Sequence, residues 1–418
     1  MKRTEVLIIG GGQAGLAMSR ALSDRDIRHV VLERGRVAER WRSERWDSLT
    51  LLTPNWQSRL PGYSYTGSDP DGYMSIPEVI QYLQGYADSF RAPVETDTTV
   101  VSVERQPGGY LVKTNRGDWS AASVVIATGD CDVPRVPAMA NDLPVDIHQV
   151  VPSSYKNPDQ LPASGVLVVG ASATGVQLAD EIHRSGRPVT LAVGRHTRLP
   201  RRYRGRDILW WLDAMGLFDQ KADGVFDIDV SRRQPSLQLN GRRQQPVDLL
   251  ALAHRGVRLR GRVTSVQGSR VDFRDDLLAT VASADVKLWD LLSRIDAFVG
   301  ERGMEDQVDP PRVFRPLTPA IDARYPTRLD LERENIGSVV WATGFRREYP
   351  WLHVPILDER GEIRHRQGIT SSEGLYVMGL RFLRRRKSSF IDGVGPDALE
   401  LSAHIAERLV AGRASAIA

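Results

Sequence analysis

Two stretches of the chain run an apolar strand straight into a small-residue turn and then a helix, and this order constrains the fold more than any other feature. In the first, Val6-Leu7-Ile8-Ile9 leads into Gly10-Gly11-Gly12-Gln13-Ala14-Gly15. A helical stretch follows to about Asp24, and a second strand, His29-Val30-Val31-Leu32, ends at Glu33. In the second, Val166-Leu167-Val168-Val169 leads into Gly170-Ala171-Ser172-Ala173-Thr174-Gly175, a helix to about Ser185, and the strand Val189-Thr190-Leu191-Ala192-Val193. Strand–turn–helix–strand units demand a parallel sheet. The expectation is an α/β protein with two Rossmann-like dinucleotide-binding domains.

The turn residues have distinct physical jobs. Gly10 allows the tight turn, Gly12 lets a pyrophosphate approach the backbone, and Gly15 lets helix and strand pack closely. The helix N-terminus then faces the phosphates. Glu33 can accept hydrogen bonds from an adenosine ribose. The second turn has Ser172 where the middle glycine usually stands. Its second strand ends without an acid and continues into Gly194-Arg195-His196-Thr197-Arg198. Arginine suits a 2′-phosphate through charge-assisted forks, so NADPH is preferred here over NADH. The bland alternative makes Arg195 and Arg198 solvated surface residues.

A second internal echo marks the expected domain edges. Val124-Val125-Ile126-Ala127-Thr128-Gly129 resembles Val339-Val340-Trp341-Ala342-Thr343-Gly344, and Pro134 and Pro137 follow the first. These are the expected crossings, with residues 1–150 plus 345–418 in an FAD domain and 151–344 in an inserted nicotinamide domain. The segment 205–300, with Trp210, Trp211 and Trp289, is open to reading as pocket cover, scaffold or oligomer contact. Val100–Val103 and Tyr110–Thr114 flank a Gly108-Gly109 turn and predict a small β-meander. Lys287–Arg302 and Asp397–Leu409 predict helices.

Composition narrows the class. With 418 residues and 41% hydrophobic residues, the chain can build two or three domains. Its single cysteine, Cys131, excludes an intrachain disulfide and dithiol chemistry, and fits a reducing, cytoplasmic setting. The start of the chain shows no secretory apolar region, and no run approaches a membrane span. Net charge is +4, but the arginines are dispersed and no basic-aromatic module argues for nucleic acid.

Further residues extend the pattern across the chain: Trp41-Arg42, Trp46-Asp47-Ser48-Leu49, Thr53-Pro54, Leu60-Pro61-Gly62, Phe345 after the second Ala-Thr-Gly, and Gly374-Leu375-Tyr376-Val377-Met378-Gly379. Together with the two turns, in this order, the chain resembles the class B flavin-dependent monooxygenases, and among them the CzcO-like bacterial flavoproteins related to plant YUCCA enzymes. The resemblance implies that NADPH reduces FAD, that oxygen adds at the flavin carbon C4a, and that one oxygen atom passes to a small organic substrate. The protein then orients the cofactors and excludes water, so no catalytic residue is assigned. The candidate FAD set is Gly10, Gly12, Gln13, Ala14, Gly15, Glu33, Arg34, Trp41, Val101, Ala127, Thr128, Gly129 and Asp392. The candidate NADPH set is Gly170, Ser172, Ala173, Thr174, Gly175, Arg195, His196, Arg198, Ala342, Thr343 and Gly344. No metal is expected, and self-association is left open.

One departure from the family pattern bears on oxygenation. The family's Phe, Gly and His motif keeps only its tail here, His148 with Tyr155-Lys156, while Asp142 and Pro144 occupy the Phe and Gly positions. That keeps an NADPH oxidase or flavin reductase without oxygen insertion, and a non-catalytic redox sensor, as alternatives. Trp41, Trp46 and Trp56 are open to reading as flavin walls or as core. The run Arg384–Lys387 is read as a solvated face or as a phosphate contact.

Overall fold

The computed structural model describes residues 1–239, 247–314, 316 and 325–417. Residues 240–246 of the 205–300 segment therefore lie outside the described residues.

Lys2–Ile9 runs parallel to His29–Leu32 on one side and to Trp119–Ile126 on the other, with Ile9 opposite both Leu32 and Ile126. Val6, Leu7 and Ile8 have no exposed surface. A parallel strand covered on both faces needs such an unbroken apolar run. Val94–Glu95 extends the sheet beyond His29–Leu32. Beyond Trp119–Ile126 lie Gly109–Thr114 and Val100–Gln106, both antiparallel, which form the expected meander. Leu375–Val377 returns late in the chain to lie parallel to Trp119–Ile126.

The second sheet is parallel throughout. Its order is His148–Val150, Ile336–Trp341, Gly165–Val169, Val189–Ala192 and Arg258–Arg260. The architecture is mixed α/β with parallel Rossmann-like sheets. His148–Val150, read from sequence as the end of the first domain, instead pairs with Ile336–Trp341 in this second sheet. Between the sheets the two crossings run side by side: Val133–Pro134 pairs antiparallel with Phe345–Arg346.

Two helices exceed their sequence-based bounds. Leu277–Arg302 begins ahead of the expected Lys287, because its first turns bury Leu277, Val281 and Ala284. Val394–Ile417 replaces the expected Asp397–Leu409, and its Leu401 and Ile405 join the core of the first sheet beside Leu16 of the helix Gln13–Ser23. Trp211 is fully buried against Leu288, Leu292 and Ile295, whereas Trp289 is 38% exposed. Within 205–300, Arg258–Arg260 is part of the parallel sheet itself. No helix among the described residues is long and apolar enough to cross a membrane.

Candidate functional site

Both small-residue turns are built the same way. Gly10 has φ +111°, and a Cβ there would stand 2.6 Å from the Ala127 carbonyl oxygen. Gly170 has φ +109°, and its Cβ would stand 2.4 Å from the Ala342 carbonyl oxygen. Each Ala-Thr-Gly crossing therefore presses its backbone against the first glycine of a turn. The last glycines are as tightly held: a Cβ on Gly15 or Gly175 would lie 1.9 or 1.8 Å from the carbonyl oxygen of Gly10 or Gly170.

Gly12 differs from these. A Cβ built on it meets nothing within 4 Å. It is the N-cap of Gln13–Ser23 and offers no side-chain cap, so the first amides of the helix have no cap from it. Ser172 holds the same position before Ala173–Arg184, likewise with no side-chain cap. Thr174 lies in the first turn of that helix. Each turn thus offers unspent amide donors at a helix N-terminus, the arrangement that receives phosphate.

Around the first turn several expected residues converge. Glu33 is buried, and its two oxygens accept the Gly11 amide at 2.6 Å and the Gly35 amide at 3.0 Å. A carboxylate has about four acceptor sites, so capacity remains for a ribose. The Gln13 side chain accepts from the Trp41 indole at 3.5 Å and donates to the Ser389 carbonyl at 3.5 Å. Ala14 packs close to Gly379, whose Cβ would stand 2.7 Å from that of Ala14. Thr128 and Gly129 follow Ala127 away from the sheet, with Gly129 at φ +84°.

Other expected residues are engaged elsewhere. Asp392 is buried in a bidentate pair with Arg59, at 2.7 and 3.0 Å, and also receives Lys387 at 3.2 Å. Val101 is 54% exposed on the strand Val100–Gln106. Arg34 is exposed and pairs with Glu44 at 3.0 Å. Trp46 lies in the core of the second sheet with Val150 and Val166. Trp56 carries the Arg59 guanidinium over its ring at 5.9 Å. Thr343 donates to the Arg135 carbonyl, which ties the two crossings together beside Gly344.

At the second turn the expected arginine pair splits. Arg195 is exposed and makes no ion pair among the described residues. Arg198 is instead 6% exposed and bonds Asp285 at 2.6 Å and Asp248 at 3.2 Å. Its charge is neutralised inside the fold, so it is corrected here from a phosphate ligand to a structural ion pair. His196 is buried as well; its Nδ1 meets the Gly194 carbonyl at 3.0 Å, and burial holds its pKa below the usual value.

Sequence reading missed three features. Gln238 is 2% exposed and donates to the Ala171 carbonyl at 2.7 Å, bracing the second turn from behind. No local pattern marks it. The run Arg384–Lys387 is not a solvated face. Arg384 and Arg385 pair with Glu400, Arg385 also with Asp397, and Lys387 with Asp219 and Asp392. A shallow open cleft is lined by Trp56, Asp71, Tyr73, Arg202, Gly205, Arg206, Asp207 and Trp210. Cys131 sits at the crossing, where burial raises its thiol pKa. Among the described residues no three His, Cys, Asp or Glu side chains gather as a metal site.

Comparison with known proteins agrees with this architecture. Residues 7–211 match the pyridine nucleotide-disulphide oxidoreductase family model. A CzcO-like oxidoreductase from Geobacillus kaustophilus is 33% identical over 94% of this chain and 96% of its own. A probable indole-3-pyruvate monooxygenase, YUCCA1 of Arabidopsis thaliana, is 30% identical over 43% of this chain and 44% of its own. The solved flavin-containing monooxygenase from Stenotrophomonas maltophilia superposes with a TM-score of 0.66, 18% identity, and coverage of 98% and 100% of the two chains. Relatives of this kind bind FAD and NAD(P)H. The chain belongs to the CzcO-like oxidoreductases.

Proposed function

We propose that the protein is an NADPH-dependent, FAD-containing monooxygenase that transfers one atom of molecular oxygen to a small organic substrate. The duplicated turn carries this reading: two helix N-termini with free amides, each backed by an Ala-Thr-Gly crossing, in sheets joined by the paired strands Val133–Pro134 and Phe345–Arg346. Two such turns suit two dinucleotides, and two dinucleotides suit hydride passage between them.

The residues present fit FAD at the first turn and NADPH at the second. Gly12 leaves room for a pyrophosphate, the amides of the first helical turn donate to it, and Glu33 orients the ribose. Gln13 and Trp41 fix the wall beside that turn. Asp392, already charge-paired with Arg59 and Lys387, acts through that pair to hold the segment before the last helix in place. At the second turn Ser172 and the helix amides take the pyrophosphate, and Arg195 is free for a 2′-phosphate. When bound, FAD supplies the redox chemistry that links the nicotinamide to oxygen. In this reading the FAD domain comprises the chain before Val133–Pro134 and after Phe345–Arg346, and the NADPH domain is inserted between them.

One observation favours a second reading, an NADPH oxidase that passes electrons to oxygen without inserting it. Asp142 and Pro144 stand where the monooxygenase motif has Phe and Gly, and His148 is exposed on a strand of the second sheet. The test is NADPH consumption against a panel of amines, sulfides and ketones, with oxygenated product quantified. Product formed in step with NADPH supports the monooxygenase; hydrogen peroxide with every substrate supports the oxidase.

A further inference from the structure

The stretch 208–232 lies in sequence between two strands of the second sheet, Val189–Ala192 and Arg258–Arg260, yet it is bonded to residues 360–392, which flank Leu375–Val377 of the first. Its main chain pairs with the run Arg384–Lys387. The Arg386 and Lys387 amides donate to the Gln220 and Phe218 carbonyls at 3.0 and 3.2 Å, and the Ala222 amide donates to the Arg384 carbonyl at 2.8 Å. Phe218 is buried edge-on to Phe390, with ring centres 5.6 Å apart. Further along, Asp223 accepts from Gln367, and Asp229 pairs with Arg360 at 3.4 Å.

Two acids of this stretch end a row of alternating charges. Asp213, on the helix Ile208–Ala214, lies 3.6 Å from the Arg59 guanidinium. Arg59 forks onto Asp392 at 2.7 and 3.0 Å. Asp392 meets the Lys387 ammonium at 3.2 Å, and Lys387 meets Asp219 at 3.1 Å. Lys387 and Asp392 are buried, whereas the Asp219 side chain is 55% exposed. A buried ammonium is tolerated only where carboxylates answer it. One of the two that answer Lys387 comes from the distant stretch, and so does one of the two that answer Arg59.

The turn held by this network is closed on itself. The Phe390 amide donates to the Lys387 carbonyl at 2.8 Å, and a Cβ on Gly393 would stand 1.7 Å from that carbonyl oxygen. The Ser388 hydroxyl accepts the Arg384 and Arg385 amides at 3.1 and 2.9 Å. On its other side the Ser389 carbonyl accepts from Gln13, the first residue of the helix behind Gly12. A shift of Lys387 or Asp392 therefore shifts this turn against the space in front of Gly12. We propose that Asp213 and Asp219 are positioning residues for FAD. They hold Arg59 and Lys387, and through these Asp392, and so set the place of Ser388–Gly393 beside the first dinucleotide turn. The proposal rests on reading that dinucleotide turn as the FAD site. It gives part of the 205–300 segment a role that no local motif marks, because both acids act on residues far away in sequence.

The test takes the full chain stripped of flavin, titrates it with FAD, and reads flavin fluorescence and the visible circular dichroism of the bound flavin. Asp219→Asn should weaken FAD by about threefold, and Asp213→Asn combined with Asp219→Asn by about tenfold. Both should alter the visible circular dichroism, which reports the surroundings of the flavin ring, while the urea midpoint of the flavin-free protein stays close to that of the wild type. Asp219→Glu keeps the charge and should restore affinity and spectrum. If the double variant fails to fold, the half-exposed Asp219 alone decides the matter. A lower urea midpoint with wild-type affinity and spectrum would make the two acids structural only and overturn the proposal. No change in any readout, or a loss that Asp219→Glu leaves unrestored, would overturn it as well, while FAD binding by the wild type keeps the FAD reading standing. If the wild-type chain neither retains nor binds FAD, that reading itself has failed, and the proposal with it.

Discussion

The carbonyl oxygen of Ala127 lies 2.6 Å from where Gly10 would carry a Cβ, and Ala342 stands in the same relation to Gly170 at 2.4 Å. A residue that crosses out of a sheet thereby dictates the identity of a residue more than a hundred positions away. Gly10→Ala would add both this clash and a side chain at φ +111°. We expect it to destabilise the flavin-free protein by roughly 2–3 kcal/mol or more, read as a lower urea midpoint.

Gly12 makes the opposite prediction. No atom lies within 4 Å of its would-be Cβ. Gly12→Val should cost the flavin-free fold no more than about 1 kcal/mol, the loss of a good N-cap residue. The branched side chain would nonetheless fill the space assigned to the pyrophosphate. The variant should purify folded and colourless; a yellow, FAD-replete Gly12→Val would remove the site assignment.

Arg195 and Arg198 should separate cleanly. Arg198 is neutralised by Asp285, which is 1% exposed. Arg198→Met removes a buried cation from Asp285 and Asp248 and should cost about 3–5 kcal/mol of stability. Arg195→Ala should leave stability within about 0.5 kcal/mol. It should raise the KM for NADPH about tenfold while that for NADH stays within about threefold. Denaturation and anaerobic flavin reduction measure the two effects.

The contrast shows what was legible in the chain. The two turns could be read because a glycine requirement is local and repeats in sequence. The meander could be read from its Gly108-Gly109 turn between two apolar-alternating runs. Arg198 and the run Arg384–Lys387 could not. Their partners Asp248, Asp285, Asp219 and Glu400 are distant in sequence, and nothing near the arginines distinguishes a buried pair from a solvated cation. Gln238 was invisible likewise, since its acceptor is a backbone carbonyl in another unit of the fold. The early start of the helix Leu277–Arg302 was missed because its apolar period is blurred there: Ala279, Ala282 and Val286 are exposed while Asp285 is buried.

Asp397 predicts a pH dependence. Its side chain has no exposed surface; one oxygen bonds Arg385 at 2.7 Å and the other is buried without a partner. Burial pushes its pKa up from 3.8 to about 6. The folded state therefore binds this proton more tightly than the unfolded chain. The stability it contributes is present below about pH 4 and is lost as pH rises through about 6, by on the order of 3 kcal/mol. Asp397→Asn should remove that slope. Urea midpoints of both proteins at several pH values across this window measure the difference. Parallel curves would show that Asp397 does not titrate there.

The central claim is oxygen insertion fed by NADPH through bound FAD, and the most direct measurement is the ratio of oxygenated product to NADPH consumed. With the FAD-loaded protein and a substrate drawn from the amine, sulfide and ketone panel, the account predicts a ratio approaching one, with little hydrogen peroxide. A ratio near zero with every substrate, all electrons appearing as peroxide, would contradict it.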